Sequence, residues 1–154
     1  MTGSQAAAPP SVQRTASRQV GLRQASLAIL ILLIAQFGLG MGVNLYVTLP
    51  TAGHPGHGSF FSNGLLLALH ATLGLLLLLS AIFVLVRAIR ARNAAVMVTS
   101  VAGLVAILGA VFFGSMFTDK LTDGYSLGMA LAFAAALACY AVGLYAASTR
   151  RGSS

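Results

Sequence analysis

Four apolar runs, at about residues 25–49, 64–86, 94–117 and 125–147, fill most of this chain. A bilayer core about 30 Å thick needs roughly 20 helical residues, and each run reaches that length. No water inside a bilayer satisfies backbone N–H and C=O groups, so a run of this length closes its own hydrogen bonds as a helix. The pattern predicts an all-α fold: a polytopic membrane protein built as an antiparallel four-helix transmembrane bundle. Charged residues make up 7% of the chain, against about 25% in soluble domains. The four runs and their short connections leave no room within the 154 residues for a separate soluble catalytic domain.

Residues 1–21 are rich in Ala, Ser, Gln, Pro and Arg and contain Pro9-Pro10, so they are expected to form a disordered cytoplasmic tail. Residues 22–149 form the four-span domain and 150–154 a second cytoplasmic tail. The first run is much longer than a signal-peptide core of roughly 7 to 15 residues, so it is read as an uncleaved span. Pro50, Gly53, Pro55, Gly56 and Gly58 mark the loop that follows it.

A net charge of +7 in a soluble protein would suggest nucleic acid, but the placement of the charge gives another reading. Arg14, Arg18 and Arg23 precede the first run, Arg87, Arg90 and Arg92 separate the second from the third, and Arg150 and Arg151 follow the fourth. No aromatic residues interleave with them as a nucleic-acid surface would require. Eight of the nine basic residues thus fall on segments that an even number of spans places together, with Lys120 opposite. Cytoplasmic flanks retain Lys and Arg, so both termini are expected inside, and loops 50–62 and 118–124 outside. The Ala, Gly, Val, Leu and Arg bias with a single lysine points to a high-GC bacterium, and so to its cytoplasmic membrane.

Polar groups within spans are costly and raise functional questions. No Asp, Glu, Lys or Arg lies in the apolar core of any run, which excludes an embedded antiport carboxylate and a buried-lysine mechanism. What remains is Gln36 and Asn44 in the first span, His70 in the second and Ser126 at the start of the fourth. Gln36, Gly40 and Asn44, at i, i+4 and i+8, share one stripe expected to face another helix, while Gly38 and Gly42 form a Gly-x-x-x-Gly pair. An amide there ordinarily makes an interhelical hydrogen bond worth ~0.6 to 2 kcal/mol. His70 lies about 9 Å below the outer end of its run, with Gly74 one turn later. It is open to three roles: metal or heme ligand, proton relay, or hydrogen-bonded packing residue.

Met129 falls near the level of His70, where a thioether is ordinarily packing and alternatively completes a His/Met heme pair. Met41 and Met116 also lie toward the outer side, a cluster compatible with Cu(I). The outer loop carries His54 and His57 among glycines, short of the usual four-ligand zinc site and read as solvated. Asp119 and Asp123 flank Lys120 in the second outer loop, where negative charge suits the start of the fourth helix. Lone Cys139 excludes an intrachain disulfide and is read as an apolar filler. Glycines at 38, 40 and 42 in the first span and 103, 109 and 114 in the third are read as the ordinary glycine content of transmembrane helices.

The run Gln36-Phe37-Gly38-Leu39-Gly40, continuing through Asn44 to Pro50, with His70-Ala71-Thr72-Leu73-Gly74 after the loop, resembles the first hairpin of one half of heme A synthase. Ser126-Leu127-Gly128-Met129-Ala130 resembles a run in small bacterial four-helix membrane proteins of unknown function. In the synthase pattern, histidines near the outer ends of spans two and four pair. His70 matches the first position and span four has no histidine, so the resemblance implies heme b held by His70 with Met129, or by His70 across a homodimer. The acidic residue that the synthase places before its span-two histidine is missing here.

The residues together point to a small, non-enzymatic packing or accessory component of the membrane, with no cofactor expected. Its partners would be the lipid bilayer and a homo-oligomer or larger membrane complex, with no nucleic acid. A heme-binding protein using His70 as axial ligand is the alternative, and small-solute permeation along Gln36, Asn44 and His70 a second.

Overall fold

The computed structural model describes residues 10–46, 60–120 and 122–149, and all four expected spans are helical. The helices are α1 (Pro10–Tyr46), α2 (Phe60–Arg90), α3 (Ala94–Lys120) and α4 (Asp123–Thr149). Each is long and apolar enough to cross a membrane. The chain is therefore an all-α four-helix bundle. Each helix packs against two others, α1 on α2 and α4, α3 on α2 and α4, so α2 and α4 stand on a diagonal.

One boundary departs from expectation. Part of the segment expected to be a disordered tail is helical, because α1 begins at Pro10 and continues without a break into the span. The physical reason is that a helix nucleated in the span extends outward at little cost. No proline and no glycine interrupt residues 11–20, and Pro10 sits in the first turn, where its missing N–H has no partner to lose. Residues 1–9, 47–59, 121 and 150–154 lie outside the described residues, and the His54/His57 loop and the whole C-terminal tail with them.

The core has a regular spacing. Fully buried positions are Leu22, Ser26, Ile29 and Leu33 on α1, and Leu77, Ala81, Val84 and Ala88 on α2. On α3 they are Val96, Ser100, Gly103 and Ile107, and on α4 Ala136, Tyr140 and Gly143. Each series steps by four, three and four residues or the start of that pattern, the spacing that keeps one seam inward when helices pack with a slight left-handed crossing. All of these positions lie in the half of each helix nearer the arginines, called here the arginine half. Among the described residues, no side chain from 34–46, 64–76, 108–117 or 122–135 is fully buried. The inward stripe continues into this outer half with Gln36, Gly40, His70 and Gly74 on α1 and α2, and with half-buried Phe113, Met129 and Phe133 beside Gly109, Ala110, Gly114 and Ala132 on α3 and α4.

The α2–α3 turn holds the arginine end together. Arg92 N–H donates to the carbonyl of Ile89 at 3.0 Å and Asn93 N–H to that of Ala88 at 3.3 Å, the paired bonds of a Schellman motif. That motif needs a left-handed residue, and Arg92 supplies it at φ 51° in place of the usual glycine. Buried Asn93 then caps α3, its Oδ1 accepting from Val96 N–H at 3.3 Å. Asn93→Ala is expected to lower stability by about 1 kcal/mol. Arg92→Gly is expected to raise it by about 0.5 to 1 kcal/mol, left-handed strain relieved less the added freedom of glycine when unfolded. Thermal unfolding midpoints in one detergent read both.

Candidate functional site

The inward stripes of α1 and α2 meet in the outer half through an amide and an imidazole. Gln36 Nε2 lies 3.2 Å from His70 Nε2 and donates to the His70 carbonyl at 3.1 Å. The second bond orients the amide, since a carbonyl oxygen only accepts and Gln36 must present its NH2 group. Where its other N–H reaches His70 Nε2, that ring nitrogen is the acceptor.

Two glycines allow the approach, each on the helix opposite the side chain it admits. A Cβ at Gly40 would stand 3.1 Å from His70 Cε1, and a Cβ at Gly74 would stand 3.1 Å from Gln36 Nε2. The imidazole therefore rests on α1 backbone and the amide on α2 backbone. Gly74 does provide the small surface expected beside His70, and the group that occupies it is Gln36. Gln36 Oε1 and His70 Nδ1 are buried without a hydrogen-bond partner among the described residues. A buried polar atom so placed costs free energy.

The other expected site residues are distributed around this pair. Asn44 is one turn beyond Gly40 on the same stripe, but it is exposed at the open end of the bundle. Ser126 is half-buried on the first turns of α4. Gly42 does meet α2, at Leu66, whereas Gly38 has nothing within 4 Å. Two residues past Gln36, Gly38 has turned to the opposite side of α1.

His70, Met129, Gly40 and Gly114 each stand seven residues, about 10 Å, beyond the last fully buried position of their helix. The shared level expected for His70 and Met129 is thus present, on diagonal helices. His70 Nε2 lies against the Gln36 amide, and the Met129 sulfur lies against α3, 3.3 Å from where a Cβ of Gly114 would be. No group of three or more His, Cys, Asp or Glu among the described residues is arranged to hold a metal ion.

The tightest helix pairing lies elsewhere. The Tyr140 ring, 2% exposed, is seated on Gly103, where a Cβ would stand 2.6 Å from Cε2. Phe113 is seated on Gly128, and Thr99 on Gly143, in the same manner. Nothing in the sequence distinguishes these glycines from others in apolar helices. A clue is that each has a large or β-branched residue available on the facing helix, which becomes visible only once α3 and α4 are set antiparallel.

The bundle of four long apolar helices defines a multi-pass α-helical membrane protein. No family model, curated protein or solved structure matches the chain.

Proposed function

We propose that this chain is a non-enzymatic packing component of a bacterial cytoplasmic membrane, with both termini cytoplasmic. Its outer half is completed by another transmembrane segment, from a second copy or from a larger complex. The observation that carries this reading is where full burial stops. Beyond Leu33, Leu77, Ile107 and Ala136 no described side chain is fully buried: α1 and α2 turn Gln36, Gly40, His70 and Gly74 inward, and Phe113, Met129 and Phe133 on α3 and α4 are only half-buried. Phe37 stacks on Phe133 of α4, with 5.5 Å between ring centroids, yet is still 53% exposed, and Asn44, one turn beyond inward Gly40, is exposed as well. Membrane helices associate by close packing and interhelical hydrogen bonds, so an unfilled polar-lined half is a surface for a further helix.

Extraction into native-lipid discs, followed by native mass spectrometry, tests this reading. Masses above that of one chain with lipid are expected, and a single chain with lipid alone overturns it. The heme alternative rests on the shared level of His70 and Met129, and it requires Gln36 to release Nε2. The same discs decide it: a Soret band that disappears in His70→Ala supports heme, and a colourless sample from heme-replete cells removes it.

A further inference from the structure

We propose that the arginine end of the α1–α2 groove binds the phosphate of an anionic phospholipid, with Arg87 as the fixed contact and Arg90 beside it. Arg87 is in the last turn of α2, and its guanidinium crosses to α1. A Cβ at Gly21 would stand 2.7 Å from Nη1 and 3.7 Å from Cζ. The same guanidinium carbon lies 4.9 Å from the centroid of the Phe83 ring, one turn earlier. Arg90 follows three residues later on the same helix face. Phe83, Arg87 and Arg90 are all exposed.

The glycine and the ring set the position of a head group that would otherwise be free to wander at the membrane boundary. What the site lacks is a counter-charge from its own chain. The only two acidic side chains are Asp119 and Asp123, at the opposite end of the bundle. An anion that pairs with Arg87 therefore comes from outside the chain's acidic side chains. At a bilayer surface the abundant anion is a phosphodiester, whose oxygens match the guanidinium fork with two parallel hydrogen bonds. Basic pockets between transmembrane helices bind such head groups, and exposed Phe83 provides an apolar wall for the acyl chain beneath.

The full chain in mild detergent, titrated with phosphatidylglycerol or phosphatidylcholine and followed by native mass spectrometry, tests the site. Wild type is expected to retain phosphatidylglycerol about thirtyfold more tightly, as two arginines at ~1 kcal/mol each near an anionic head group imply. Arg87→Gln is expected to reduce that retention about fivefold. Gly21→Leu is expected to reduce it similarly by displacing the guanidinium at constant charge, with the gel-filtration profile verifying that the variant folds. Arg92→Gln is expected to retain the lipid, and millimolar inorganic phosphate not to displace it. Equal retention of the two lipids overturns the proposal, as does displacement by phosphate alone. So does an Arg92→Gln loss as large as that of Arg87→Gln.

Discussion

Gly103→Val is expected to separate α3 from α4, the closest-packed pair in the molecule. A Cβ at this position would stand 2.6 to 3.1 Å from three carbons of the Tyr140 ring, and that ring is 2% exposed with nowhere to move. Overpacking of this kind costs about 1 to 3 kcal/mol where a core adjusts. A buried aromatic against backbone adjusts little, which places the loss at the upper end. Tyr140→Ala attacks the same seat from the other side. In lipid the unfolded reference is also apolar, so transfer from water contributes little and lost packing dominates. At ~24 cal/mol per Å³, a void of roughly 100 Å³ gives a loss of about 2 to 3 kcal/mol.

Tyr140→Phe separates packing from polarity. The hydroxyl is buried without a partner among the described residues, so its removal is expected to leave stability unchanged or raise it slightly. Unfolding by graded addition of a denaturing detergent ranks the three variants. A Tyr140→Phe loss comparable to that of Tyr140→Ala would show that the hydroxyl has a partner and that the packing account of this seat is incomplete.

The second large effect belongs to the Gln36–His70 clasp. Gln36→Leu removes both bonds that the amide gives to His70 and leaves the ring nitrogen unpaired, while His70→Leu removes one bond and leaves the carbonyl in place. Each single change is expected to cost about 1 to 2 kcal/mol. The double variant is expected to fall short of their sum by ~0.6 to 2 kcal/mol, the range of interhelical hydrogen bonds in membranes. Strict additivity in the cycle would mean that the two side chains do not interact. Gly40→Val should reproduce the loss without touching either polar group, because its side chain would occupy the place of the imidazole.

Several of these features were legible in the sequence, for reasons that differ. The four spans follow from length and hydropathy, which are local properties, and α3 begins at the residue expected, Ala94. The polar residues that matter were also visible, since an amide and an imidazole stand out against apolar neighbours. Their pairing was not, because it depends on how α1 and α2 are rotated about their axes. The same rotation separates Asn44 from the clasp and turns Gly38 away from it. Gly103 and Tyr140 were illegible for a further reason: in a membrane helix, glycine and aromatic residues are ordinary, and only the facing helix gives them meaning. The left-handed Arg92 carries no glycine signal at all. The helical extension from Pro10 is not visible in composition, because it depends on the helix that continues into it.

The open outer half is the center of the functional account, and photo-crosslinking in intact membranes tests it most directly. Benzoylphenylalanine in place of Phe37, in the outer half and 53% exposed, compares with the same residue in place of Val98, in the arginine half and 62% exposed. Because Phe37 stacks on Phe133 of α4 within the chain, the adducts that count are those to a second protein chain, which are predicted from position 37 and not from position 98. No interchain adduct from position 37 would contradict the account, because an outer half facing only lipid and its own chain needs no partner.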